Sequence, residues 1–483
     1  MHPRLIFKIL LKLLFVLSIF MAMPVFVALY YREYMFLNYF LLFSLSMFCL
    51  SMILLFILRN VSEEYLTVRD GFLLVFLCWL LMSIVGALPY FLSGSISNFC
   101  NAFFESVSGF TTTGASILNN VEDMPKSILF WRSLTHWIGG MGIIVLTVAI
   151  LPILGVGGLQ LVKAELPGPT VDRLTPRIKD TAKLLWAIYV IITFVEVFFL
   201  MLGGLNFFDS ITHSFSTVAT GGFSTKNNSV EGFNSSYIEL IITIFMIAAG
   251  VNFTIYYRLI LFRFEKILLN TEFKAYLLIL FTCSIFLFCN LYFSTYHNIF
   301  DSLRYAFFQA ATIMTTTGFS SFNYEDWPYF SQSILFLLMF IGASSGSTGG
   351  GIKVIRIITL LRQAVNEMKF IIHPKGVFAF KINGIAVKKD IVYAISAFCF
   401  LYIIIAILFT AIISTAGVDL KTSLTSVLAT LGNIGPGLGL VGPTKNYSFY
   451  PDYVKWILSF LMILGRLELY TVFILLFPFF WKK

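Results

Sequence analysis

Residues 311–321 read ATIMTTTGFSS, and three other stretches of the chain echo them. These are SVSGFTTTGAS at 106–116, STVATGGFST at 216–225 and TLGNIGPGLG at 430–439. Aligned on their central glycines they give Thr111-Thr112-Thr113-Gly114, Ala219-Thr220-Gly221-Gly222, Thr315-Thr316-Thr317-Gly318 and Gly432-Asn433-Ile434-Gly435. The second column is Thr, Thr, Thr, Asn, and the fourth is always Gly. Each string follows a short amphipathic run, at 99–109, 208–217, 300–313 and 420–429. A run of about 10–14 residues is too short to cross a bilayer and reads as a re-entrant segment. One such string is an ordinary glycine turn. Four, each behind a short run, are a repeat, and self-similarity is a better guide to fold than local propensity.

Around these strings the chain is built for lipid. Of 483 residues, 58% are hydrophobic and 12% charged, about half the charge of a soluble domain. Ten stretches are long enough, or nearly so, to cross: 5–31, 36–58, 71–92, 128–156, 184–205, 238–262, 275–293, 334–361, 391–416 and 454–480. The first has a basic start but is too long for a secretory signal and lacks a small-residue cleavage site. Two spans separate successive strings, so all four face one side of the membrane, as a parallel repeat. The expected fold class is an all-α integral membrane protein. The expected units are a two-span hairpin at 1–62 and four span–loop–span repeats at 63–170, 171–270, 271–383 and 384–483.

Charge supports this topology. The net charge is +9, and with both termini inside most Lys and Arg fall on the inner side, as the positive-inside rule requires. The basic excess therefore reports orientation and does not indicate nucleic acid. The six cysteines form no C-x-x-C pair, and the five histidines are scattered, so neither a disulfide framework nor a zinc site is expected. The spans hold no nucleophile–base or metal constellation, which argues against a membrane enzyme.

Irregular backbone at membrane depth survives where it is buried in protein or lines water. Four such loops around one axis can replace an ion's water shell with carbonyl oxygens. Glycine supplies the positive φ that such a loop needs. The motifs carry no charge, which suits a weakly hydrated monovalent cation; calcium or magnesium would call for carboxylates. The candidate ligands are Thr112, Thr113, Gly114, Thr220, Gly221, Gly222, Thr316, Thr317, Gly318, Asn433, Ile434 and Gly435.

Two further features lie within spans. Residues 342–351 read GASSGSTGGG, and glycine inside a helix costs about 1 kcal/mol against alanine. The eighth span is therefore expected to break into a flexible loop lying under the four strings. Its candidate gating residues are Gly346, Ser347, Thr348, Gly349, Gly350, Gly351 and Lys353. The stretch is not a phosphate loop, because Gly351 is followed by Ile352-Lys353 and not by Lys-Ser or Lys-Thr. Arg466 stands alone as a basic residue deep in a span, where a charge is by default functional. Glu468 lies on another helix face, and the competing reading pairs Arg466 with an acidic group such as Glu196.

The four loops, with THWIGGMGIIV (135–145), IGASSGSTGGGIKVIR (341–356) and LGRLELYTVFILLF (464–477), resemble the Trk/Ktr/HKT superfamily of potassium transporters over nearly the whole chain. The resemblance implies four pore repeats in pseudo-fourfold symmetry, with potassium as the ion bound and carried. It makes 342–351 the gating loop and places Arg466 beneath the filter. It also implies a homodimer in a bacterial inner membrane, served by a cytoplasmic TrkA-like nucleotide-binding regulatory subunit. The basic stretches 163–183 and 353–389 are candidate docking surfaces for that subunit or for anionic membrane lipid. The alternative within the superfamily is a sodium-coupled or less selective Ktr-type cation transporter.

Overall fold

A computed structural model describes residues 1–61, 66–150, 178–376, 378–379 and 381–482. The described chain is α-helical apart from a hairpin of two two-residue strands, β1 (Lys381–Ile382) and β2 (Ile385–Ala386). An N-terminal pair, α1 (Pro3–Met21) continued by α2 (Met23–Tyr30), packs against α3 (Tyr34–Ile57). Glu33, in the turn between them, ties this pair to the rest. Its carboxylate accepts from the amides of Lys126 at 2.6 Å and Ser127 at 3.0 Å. Those are orphan donors at the start of α6 (Lys126–Ile150), where a carboxylate also complements the helix dipole.

The remainder repeats one pattern four times: long helix, short helix, non-helical string, helix. The long helices are α4 (Val68–Leu92), α7 (Ile178–Leu202), α12 (Thr271–Leu291) and α16 (Lys389–Ser414). The short ones are α5 (Phe99–Phe110), α8 (Phe207–Val218), α13 (Ile299–Met314) and α17 (Leu420–Leu431). The helices that follow the strings are α6, then α9 (Ser236–Ala249) with α10 (Phe253–Ile260). In the third repeat they are α14 (Tyr329–Leu338) and α15 (Val354–Ile372), and in the fourth α18 (Asp452–Arg466) and α19 (Leu469–Leu476). Helix α6 packs on α8, α9 on α13, and α18 on both α17 and α5, which closes the last repeat onto the first.

Six helices of the described chain are long and apolar enough to cross a membrane, and eight if each bent pair counts as one span. Two of the ten expected stretches fall outside this count: 128–156, which runs past the described residues, and 334–361. The stretch 334–361 is interrupted as expected. The stretches 238–262 and 454–480 are also broken, by bends of 95° and 117°. Gly250 stands at the first break, whereas the second falls at Leu467 and Glu468, just beyond Gly465, and a lone glycine in an apolar run is too weak a signal to predict a bend. The end of 128–156 and most of the basic stretch 163–183 lie outside the described residues. Large apolar side chains such as Phe26, Leu42, Leu278 and Phe293 project outward. Polar side chains are gathered inside, around the strings, as a chain solvated by lipid requires.

Candidate ion-conducting centre

The centre is built from the short helices upward. Each begins on an Asn or Asp whose side chain accepts from an amide of the first turn: Asn98 from Cys100, Asn206 from Asp209, Asn298 from Phe300 and Asp419 from Thr422. Such a cap stabilises a helix by about 1 kcal/mol. The Thr422 hydroxyl, with its amide, also holds the Asp419 carboxyl below the usual carboxylate range.

Each helix ends one residue before the first aligned column, and all four end the same way. The third-column amides donate back to the helix: Thr113 to Ser108, Gly221 to Ser216, Thr317 to Thr312 and Ile434 to Ala429, at 2.8–2.9 Å. The second-column amides donate to Gly109, Thr217, Ile313 and Thr430. This pair of bonds is a Schellman cap, and it requires the first of its two donors to be left-handed. The second column supplies it, with φ of 52° at Thr112, 56° at Thr220, 59° at Thr316 and 54° at Asn433. A side-chain-bearing residue pays roughly 1–2 kcal/mol for that conformation, and here it is adopted four times. The fourth column is left-handed again, from 77° at Gly222 to 97° at Gly435, while the third column is not. A backbone that alternates in this way can aim successive carbonyls to one side.

The same glycines show how the loops meet. A methyl built on Gly114 would lie 2.0 Å from the carbonyl oxygen of Gly221, and one on Gly222 2.1 Å from that of Thr317. On Gly318 it would lie 2.0 Å from the Ile434 oxygen, and on Gly435 2.5 Å from the Thr113 oxygen. Each fourth-column residue therefore abuts a third-column carbonyl of the next loop, in the order one to two to three to four to one. The four loops form a closed ring in which each glycine abuts a main-chain oxygen of the next loop.

Side chains brace the ring from behind. Nine residues before each of the first three glycines stands a buried polar group: Glu105, His213 and Gln309. Glu105 accepts from the Ser116 hydroxyl and the Ile117 amide and pairs with Arg132, whose guanidinium also donates to the Ser224 carbonyl of the next loop. His213 hydrogen-bonds with Ser224 at 2.9 Å, and Gln309 donates to the Phe322 carbonyl at 3.4 Å. In the fourth loop Thr425 and Leu438 exchange two bonds, and the Tyr447 hydroxyl donates to the Gly435 carbonyl at 2.7 Å. The glycine strings alone do not point to Glu105, Arg132, His213, Gln309, Thr425 or Tyr447, nor to the four caps. Carrying the glycine alignment nine residues upstream would find three of them.

Above the ring is a vestibule of about 140 Å³ that all four glycines line. Arg132, Lys226 and Lys445 line it too. Below the ring lies the loop 342–351, most of it buried. Its ends meet, with Ile341 bridged to Ile352 and the Gly342 amide donating to the Ile352 carbonyl. Its tip reaches three of the four repeats. The Gly350 amide donates to the Thr316 hydroxyl at 2.7 Å, and the Thr348 hydroxyl to the Val218 carbonyl at 3.1 Å. A methyl on Gly350 would sit 2.5 Å from the Gly432 carbonyl, and one on Gly349 2.9 Å from that of Thr315. Gly351 is left-handed at 66°, and Lys353 donates back to the Gly349 carbonyl.

The loop also fills the bend between α9 and α10. Ser344 donates to the Gly250 carbonyl and Gly346 accepts from the Phe253 amide, each at 3.1 Å. Ser347 closes the turn by donating to Ser344. Arg466, 4% exposed, donates to the Thr348 carbonyl at 2.6 Å and to the Gly139 carbonyl at 3.1 Å. Glu468 pairs with Arg356, and neither carboxylate oxygen of Glu196 has a partner among the described residues. The pairing of Arg466 with Glu196 is therefore not formed.

Comparison with known proteins places this arrangement. Residues 38–483 match the family model TrkH, described as a cation transport protein. The chain is 44% identical over 422 residues, 86% of each chain, to the Trk system potassium uptake protein TrkH of Salmonella typhimurium. It is 39% identical to the protein of the same name from Vibrio parahaemolyticus over the full length of both. The crystal structure of the potassium transporter TrkH from Vibrio parahaemolyticus superposes over all of both chains with a TM-score of 0.89 at 37% identity.

Proposed function

This chain belongs to the TrkH family of cation transport proteins, a membrane transport family and not an enzyme family, and from that premise we propose that it takes up potassium across the bacterial cell membrane. Relatives carry the name potassium uptake protein. The observation that carries the reading is the closed ring, in which Gly114, Gly222, Gly318 and Gly435 each sit against a carbonyl of the neighbouring loop. Main-chain oxygens with no charged group among them suit an ion that gives up its water readily. The short helices point their C-terminal ends at the space beneath, where the negative end of each dipole favours a cation.

On this reading the loop 342–351 is the gate. It occupies the exit below the ring and is held there by bonds to Thr316, Val218, Gly250 and Arg466. The Arg466 guanidinium is positively charged at neutral pH and opposes a cation leaving downward. The active form is a homodimer in the inner membrane with both termini cytoplasmic. A TrkA-like nucleotide-binding subunit docks on the inner face, where 353–389 presents basic residues. Expression in a strain lacking potassium uptake is expected to restore growth at micromolar potassium. Purified protein in liposomes is expected to pass potassium ahead of sodium. Failure to restore growth, or equal flux of the two ions, overturns the reading.

A further inference from the structure

The loop has a further anchor, apart from the ring, Arg466 and the bend between α9 and α10. Glu272, in the first turn of α12, is 6% exposed. One of its carboxylate oxygens accepts from the Ser345 amide at 2.7 Å and the Ile355 amide at 3.3 Å. Ser345 lies on the rising limb of the loop, and Ile355 lies in the first turn of α15, where the chain leaves it. A single carboxylate thus staples both limbs. The neighbouring residue, Thr271, is tied elsewhere. Its amide donates to Asn383 Oδ1 at 2.7 Å, and its hydroxyl accepts from the Asn383 amide at 3.3 Å. Asn383 is the turn of the β1–β2 hairpin, and the hairpin is tied in turn to α15, because Arg362 donates to the Lys381 carbonyl. The hairpin, α12 and both limbs of the loop therefore form one circuit of hydrogen bonds.

Resting on the gate reading above, we infer that Glu272 is the positioning residue that keeps the loop seated, and that the 381–386 hairpin is the handle through which that seat is loosened. A charged acceptor makes a stronger bond to an amide than a neutral one does. Two limbs on one oxygen move together when it shifts. A pull on the hairpin acts on Thr271 and hence on the next residue, Glu272, without touching the ring.

Liposome flux separates this from a general structural role. Glu272→Ala is expected to raise potassium flux several-fold with the potassium-to-sodium ratio unchanged. Glu272→Gln, which keeps an oxygen acceptor and the shape, is expected to rise less. Asn383→Gly removes only the side-chain acceptor, since glycine accepts the φ of 50° there, and is expected to give a smaller rise that Glu272→Ala masks when the two are combined. In protein lacking residues 344–350, Glu272→Ala is expected to add nothing. If the deletion raises flux and neither Glu272 variant does, in protein that elutes as the wild type, the inference fails while the gate stands. The inference fails in the same way if Glu272→Ala still raises flux in the deletion background. If the deletion itself leaves flux unchanged, the gate reading fails and this inference goes with it.

Discussion

The ring and the layer of helices beneath it start from equally repetitive material and end differently. Four strings as unlike as TTTG, ATGG and GNIG take one backbone, with the same cap, the same two left-handed residues and the same contact to the next loop. The four helical segments that follow take four paths. Helix α6 runs on, α9 bends by 95° into α10, the third opens into a ten-residue loop, and α18 turns by 117° into α19. On the proposed function, coordination geometry would explain the first outcome, since every loop would have to present oxygens at the same height to one ion. The layer below is asymmetric, and one repeat supplies a loop that touches the second and fourth repeats.

The largest effect expected from breaking this contrast is in the ring. Gly318→Ser places a side chain at φ 82°, with its Cβ 2.0 Å from the Ile434 oxygen. Potassium flux is expected to fall by about 100-fold, some 2.7 kcal/mol in barrier terms, or the potassium-to-sodium ratio to collapse, in protein that still inserts. The same change at Gly114, Gly222 and Gly435 is expected to match it. A tolerated Gly435 variant would remove the fourth loop from the ring. The next effect has the opposite sign. Deleting 344–350 is expected to raise flux by about tenfold, a loss of roughly 1.4 kcal/mol of barrier, with selectivity kept.

Arg466→Gln is expected to do less, raising flux by about three- to tenfold. It removes one charge-assisted bond to the loop, worth about 1.5 kcal/mol or more, along with the charge itself. Arg466→Lys, which lacks the planar fork, is expected to fall between. A purely structural role for Arg466 predicts instead a lower folded yield with unchanged flux per molecule. The smallest effect separates two residues of one column. The Thr316 hydroxyl accepts from Gly350, whereas the Thr112 hydroxyl has no partner among the described residues. Thr316→Val is expected to raise flux about threefold by loosening the loop, and Thr112→Val to change it by less than half that factor. Equal responses would mean that the loop is not seated on the third repeat.

The sequence made the ring legible because its constraints fall on residue type. Glycine in the fourth column is required by a backbone angle and a close approach, so it repeats along the chain. The order in which loops meet was not legible, because it depends on closure. The bends in the second and fourth repeats were hidden for another reason. Gly250 and Gly465 sit in otherwise apolar runs, and the first break is held by a distant loop through the Ser344–Gly250 and Phe253–Gly346 bonds. The reach of Arg466 to Thr348 and Gly139 was out of view likewise, since it joins three repeats. Glu272 reads as one more acidic residue near a helix start, and only its two amide donors mark it out.

The closure of the last loop onto the first has a consequence for how the protein is made. Asn433 donates to the Thr113 hydroxyl across 320 residues of chain, beside the contact of Gly435 with the Thr113 carbonyl. A ribosome adding about 5–20 residues per second needs roughly 16–64 s to cover that distance. For that interval the first loop stands in the membrane without one of its neighbours, and no ring exists. A chain that stops before the fourth repeat therefore lacks both contacts to Thr113 and cannot close the ring.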